Sequence, residues 1–82
     1  MNLVISSKHK RTDELEIFSI KYTCGACVDT FVLRAQKCQV MRLHINSRAV
    51  GCQEALSCID KLEFDPRFSG RMNRIKRILS ES

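Results

Sequence analysis

The chain has 82 residues, 44% of them hydrophobic, with only 3 Gly and 1 Pro; this is one small domain over residues 1–82, too rich in apolar matter for a disordered linker and too short for a large catalytic fold. No apolar run approaches the roughly 18 residues of a membrane-spanning helix, and Met1 to Ser7 holds only Leu3-Val4-Ile5 as an apolar run, so neither a membrane anchor nor a signal peptide is expected. Lys and Arg number 14 against 9 Asp and Glu, a net charge of +5, and such an excess attracts polyanions, nucleic acid first and anionic membrane second.

Asn2 to Ser6 reads as a short strand, and the polar stretch Ser7 to Glu14, with Lys8-His9-Lys10-Arg11 in a row, as a loop. Asp13, Glu14 and Glu16 read as a solvated acidic group at the entry to the next strand, within reach of Lys8, Lys10 or Arg11. Leu15 to Thr23 alternates, with Phe18, Ile20 and Tyr22 on one face and Leu15, Ile17, Ser19 and Lys21 on the other, which predicts a strand. Val28 to Ala35 fits a helical stripe through Val28, Phe31, Val32 and Ala35. The β-branched residues of its first half favour a strand instead. Gln39 to Ile45 alternates again, and Asn46-Ser47 signals a turn.

Cys52 to Glu63 places Ala55, Leu56, Ile59 and Leu62 on one helical face. Asp65-Pro66 is a helix-start signal. Ser69-Gly70 weakens that first turn, so the second helix is expected to begin near Ser69 and run to about Leu79, with Phe68, Met72, Ile75 and Leu79 as its buried stripe. The expected architecture is α+β: three or four antiparallel strands, then two helices packed on one face of the sheet.

Five cysteines form an odd count without an export signal, which argues for reduced thiols in a cytoplasmic or nuclear compartment rather than a disulfide framework. Cys24-Gly25-Ala26-Cys27 is the sharpest feature, because two cysteines at this spacing can turn both sulfurs toward one Zn²⁺ ion. Cys52, at a helix start that favours thiolate, is the third ligand of the expected set, with Cys38 or His44 as the fourth. Cys38 and His44 lie about 20 Å apart along one strand, so a single site uses only one of them. Cys58 falls beside Ala55 and Leu62 and reads as core. The stretch Phe18 to Leu33 resembles the metal knuckle of zinc-ribbon proteins, which implies a structural zinc, about one ion per chain, stapling a small core. Tyr22 to Val28 is also similar to the copper-binding loop of heavy-metal-associated domains, and the pair shares its spacing with thioredoxin-like dithiols; these resemblances imply metal delivery or thiol redox chemistry at Cys24 and Cys27.

Residues 66–80 hold Arg67, Arg71, Arg74, Lys76 and Arg77 and no acid. The sequence therefore points to the second helix as a nucleic-acid-binding surface for RNA or DNA, extended by Lys8, Lys10 and Arg11. Arg gives bidentate phosphate contacts, and an Arg74 turned inward onto a carboxylate such as Glu63 would be structural instead. No Ser-His-Asp, Walker or Gly-rich phosphate motif is present, so a non-enzyme is expected. The leading reading is a small nucleic-acid-binding or transcription-associated regulator; the alternative is an adaptor that binds and modulates a larger protein such as a polymerase component, without a membrane partner.

Overall fold

The computed structural model describes residues 2–82. Five antiparallel strands follow one another across a single sheet in chain order: β1 (Val4–Thr12), β2 (Leu15–Cys24), β3 (Cys27–Gln36), β4 (Gln39–Ile45) and β5 (Arg48–Ala49). Two helices follow, α1 (Cys52–Asp60) and α2 (Ser69–Ser80), the second preceded by a 3₁₀ turn over Pro66–Phe68. The α+β class is as expected.

Two-residue turns make this meander possible. Gly25 alone takes positive φ between β2 and β3, at +62°, the first central position of a type II′ turn. Lys37-Cys38 and Asn46-Ser47 both take positive φ at both positions, the type I′ pattern whose twist matches the flanking strands. Asn46 adds a side-chain brace, its Oδ1 accepting the Thr30 N–H at 2.8 Å.

The sheet has one strand beyond the three or four expected, because Arg48–Ala49 adds a short fifth; the expected first strand is also longer, since β1 runs straight through the predicted loop. The polar run of β1 carries no apolar alternation, yet its partner β2 supplies the register, from Val4 opposite Tyr22 to Thr12 opposite Leu15. Charged side chains suit an edge strand, where they block pairing with another chain. His9 turns inward and lies flat on Phe18, ring centroids 4.2 Å apart.

Side chains alternate between the two faces of the sheet. Phe18, Ile20 and Tyr22 of β2, Phe31, Leu33 and Ala35 of β3 and Leu43 of β4 form the inner face. Ala55 and Ile59 of α1 and Met72, Ile75, Ile78 and Leu79 of α2 cover it. The core stripe of α2 is thus wider than expected, with Ile78 buried and Phe68 only partly so. α1 stops at Asp60, short of the predicted Glu63. The chain then turns extended, and Glu63 bonds to the start of β1: Val4 N–H donates to Glu63 O at 2.8 Å, and Glu63 N–H to Asn2 O at 2.8 Å. Asp65 acts as the expected cap, its Oδ1 accepting the Arg67 N–H at 2.9 Å.

Cys58 packs partly buried against the core, as its sequence position suggested, and its thiol donates to Tyr22 Oη at 3.4 Å. Burial pushes the Tyr22 phenol well above its usual range. Replacing Cys58 with Ala deletes one small packed group and is expected to lower unfolding stability by about 1 kcal/mol, measured by denaturant titration.

Candidate nucleic-acid interface

The cationic face of α2 is largely neutralised. Arg67 Nε lies 3.6 Å from Asp65 Oδ1, Lys76 Nζ 3.6 Å from Asp60 Oδ1, and Arg77 Nε 3.7 Å from Glu81 Oε1. Arg71 donates to the backbone carbonyl of Ser7 in β1. These contacts join α2 to its own C-terminal end, to α1 and to the sheet, so the run of bases in the sequence is not a free positive stripe. Exposed ion pairs of this kind contribute little stability, but the three place a carboxylate beside Arg67, Lys76 and Arg77, while Arg71 is held by a neutral carbonyl.

Arg74 turns inward, and the carboxylate it meets is Glu16 rather than Glu63. Its Nη2 donates to Glu16 Oε1 at 2.7 Å and to Cys38 Sγ at 3.3 Å. Glu16 does not belong to a solvated acidic group: it lies on the inner face of β2, opposite Ala35, and is only 4% exposed. His9 Nε2 stands 3.1 Å from its other oxygen. The Arg74 guanidinium holds the Glu16 carboxyl below its ordinary range, with His9 adding to the effect against the opposing cost of burial. Arg74 is thereby a structural tie between helix and sheet. Arg11, on the same inner parity, adds a weaker attraction to Glu16.

The outer face of the sheet has the opposite character. Paired across four strands, Lys10, Ile17, Arg34 and Arg42 form one transverse row, and Lys8, Ser19, Val32 and His44 form the next. Lys21, opposite Thr30, lies one row further on. Lys8, Lys10, Lys21, Arg34 and Arg42 are all exposed. Among the described residues, none of the five has a carboxylate within ion-pair distance. Arg11, Lys61 and Arg71 also stand outside ion-pair distance of a described carboxylate, but they are scattered over other parts of the fold, whereas these five share one face. From Lys10 to Arg42 the row spans three strand spacings, about 14 Å. A shallow hollow of about 590 Å³ lies at one side of the face, lined by Thr30, Val32, Arg42, His44, Asn46 and Ser47.

Arg34 and Arg42 stand directly opposite each other. Like charges in such a pair cost stability, a few tenths of a kcal/mol to about 1 kcal/mol, and nothing in the fold offsets them. An external anion between the two guanidinium groups would. The same face holds no Phe, Tyr or Trp among the described residues, His44 being its one ring: Phe18, Phe31 and Tyr22 point into the core, and Phe64 and Phe68 pack on the helical side. Of the residues that the sequence singled out for nucleic acid, Lys8 and Lys10 stand on this face. Lys21, Arg34 and Arg42 were missed because they are spread singly over three strands, where no run in the sequence marks them.

The five predicted metal ligands are not brought together. Cys24 and Cys27 are opposite one another at the β2–β3 tip, and both are exposed. Cys38 sits in the β3–β4 turn at the other end of β3, about 30 Å away by the rise of a strand. His44 is on the outer face, level with Val32. Cys52 opens α1 two residues after Val50, whose N–H bonds to Leu43 O in mid-sheet. Among the described residues, no group of three or more His, Cys, Asp or Glu side chains is arranged to hold a metal ion.

No protein-family model matches the chain, and no curated protein and no solved structure matches it either. The site is therefore read from its own chemistry. No helix among the described residues is long and apolar enough to cross a membrane.

Proposed function

We propose that this protein is a small non-enzymatic nucleic-acid-binding protein, of the kind that regulates a larger process, and that it grips the phosphate backbone with the outer face of its sheet. The observation that carries this reading is the gathering of five exposed bases without an ion-pair partner on one face, including an Arg34–Arg42 pair that the fold alone does not stabilise. Phosphate oxygens at intervals of several ångströms suit rows of bases on adjacent strands, and Arg supplies bidentate contacts. With His44 as the one ring on this face and no Phe, Tyr or Trp beside it, there is no extended platform for base stacking, so binding draws on the backbone and depends little on sequence.

The test is titration of a fluorescent duplex with the purified chain at several salt concentrations. Five phosphate contacts give a log–log slope against salt of about −4 to −5, from about 0.9 per contact. A slope near zero, or no binding at low salt, removes this reading and leaves the protein-adaptor alternative.

A further inference from the structure

The register places the side chains of Cys24 and Cys27 on the inner face of the sheet, in line with Tyr22 and Phe31. Tyr22 is buried, and the Cys58 thiol of α1 donates to its hydroxyl. Two residues further along β2, about 7 Å away, the cover of the helices has ended and both thiols are exposed. The turn that joins them is open as well: nothing lies within 4 Å of the Cβ that a side chain at Gly25 would carry. Among the described residues, Cys24 and Cys27 are the one pair of cysteines that stand opposite each other in the sheet.

The two residues flank a two-residue turn, which makes them the hydrogen-bonded pair closing the hairpin. Cα atoms in such a pair are about 5.5 Å apart, within the range that a disulfide spans. The Cβ atoms are about 5.5 Å apart, against about 3.8 Å in an unstrained bridge. An S–S bond here therefore closes only when the strand ends draw together by about 1 to 2 Å. The open tip permits that movement. The strain it stores makes the bond easy to reduce, which is the behaviour of a reversible disulfide rather than a permanent staple.

We propose that Cys24 and Cys27 are a reversible dithiol–disulfide pair, oxidised by low-molecular-weight disulfides of the glutathione class. The thiolate of one cysteine attacks a sulfur of glutathione disulfide, whose S–S bond breaks and releases one glutathione thiolate. The thiolate of the other cysteine then attacks the cysteine sulfur of the mixed disulfide and releases the second. The pair gives up two electrons, and its two protons go to the two glutathione thiolates. The second step is intramolecular and outruns capture of another glutathione. Cys38 lacks such a partner: it lies at the far end of β3, with Arg74 Nη2 at 3.3 Å. This proposal does not rest on the nucleic-acid reading, because the thiols face the helical side of the sheet and the basic rows face the other.

The test is to treat the reduced full chain with glutathione disulfide, alkylate the remaining free thiols and map the tryptic peptides by mass spectrometry. Residues 22–34 form one such peptide, which holds both thiols and no other cysteine. It should lose two hydrogens and carry no glutathione, and excess reduced glutathione should restore the dithiol. Cys38 should keep glutathione as a mixed disulfide. In Cys24→Ser and Cys27→Ser, both at exposed positions, the remaining thiol has nothing to resolve its adduct, so glutathione on this peptide should rise at least about 10-fold over the parent. Four results each overturn the proposal: an unmodified 22–34 peptide beside a modified Cys38, glutathione retained on that peptide in the parent, a link from either cysteine to Cys58, or an internal disulfide that survives excess reduced glutathione.

Discussion

Replacing Lys10, Arg34 and Arg42 together with Ala is expected to lower affinity for a nucleic-acid duplex about 100- to 1,000-fold near 0.1 M salt. It should also flatten the log–log salt slope by about three. The three residues stand in one row across β1, β3 and β4, so their loss empties the centre of the face. Neutralising Arg67, Lys76 and Arg77 instead should change the slope by less than about one, because each already has a carboxylate beside it. Stability supplies a second readout with the opposite sign. Arg42→Thr relieves the like-charge pair with Arg34 and should stabilise the fold by about 0.5 kcal/mol while weakening binding. A residue kept for structure would not trade the two properties in this way. Fluorescence anisotropy at several salt concentrations, with thermal unfolding of the same variants, measures both.

Glu16→Ala is expected to lower unfolding stability by about 3 kcal/mol, as much as truncating an apolar core residue. Removing one partner of a buried pair leaves the other charge without compensation. Here Arg74 is the stranded partner, and its side chain is 27% exposed, which keeps the cost at the lower end of the range for buried pairs. The loss also frees His9 on β1 and loosens the tie between α2 and the sheet. Because Arg74 holds the Glu16 carboxyl below its ordinary value of 4.5, folding favours the ionised form. That stabilisation is present in full above the unfolded value and disappears as pH falls through the lower folded value. The melting temperature of the parent should therefore drop below about pH 4.5, and its advantage over Glu16→Gln should shrink across the same window. A constant difference between parent and Glu16→Gln down to pH 2 would contradict the pairing.

Elements with strong local periodicity were legible in the sequence. β2 and β4 declare themselves by alternation, and the α2 start at Ser69 follows from Asp65-Pro66 and the weak turn after it. The start of β1 was legible in Leu3-Val4-Ile5, but its continuation to Thr12 was not, because the inward positions there are Ser7, His9 and Arg11, and their packing depends on a partner strand rather than on their own hydrophobicity. The same limit applies to Glu16, whose alternating parity with Phe18 and Ile20 already placed it on the buried face. That parity was the available signal, and the row of neighbouring acids obscured it.

The charge distribution was misread for a related reason. A segment without acids looks cationic when read linearly, but Arg67, Lys76 and Arg77 meet Asp65, Asp60 and Glu81 just outside it or on the neighbouring helix, and Arg74 meets Glu16 across the fold. Lys21, Arg34 and Arg42 converge only when two hairpins bring β2, β3 and β4 side by side. The Cys24–Cys27 pair was the reverse case: two-residue spacing across a glycine turn fixed its geometry locally, whereas bringing Cys38, His44 or Cys52 to it would depend on long-range placement that sequence spacing does not constrain.

The central claim, that the outer face of the sheet rather than α2 meets the phosphate backbone, is tested most directly by backbone amide and side-chain NMR shifts during titration with a short duplex at low salt. The account predicts that the perturbed signals trace Lys8, Lys10, Lys21, Arg34, Arg42 and His44 across four adjacent strands, with Arg67 through Arg77 little changed. Perturbations confined to α2, with the sheet face silent, would contradict it.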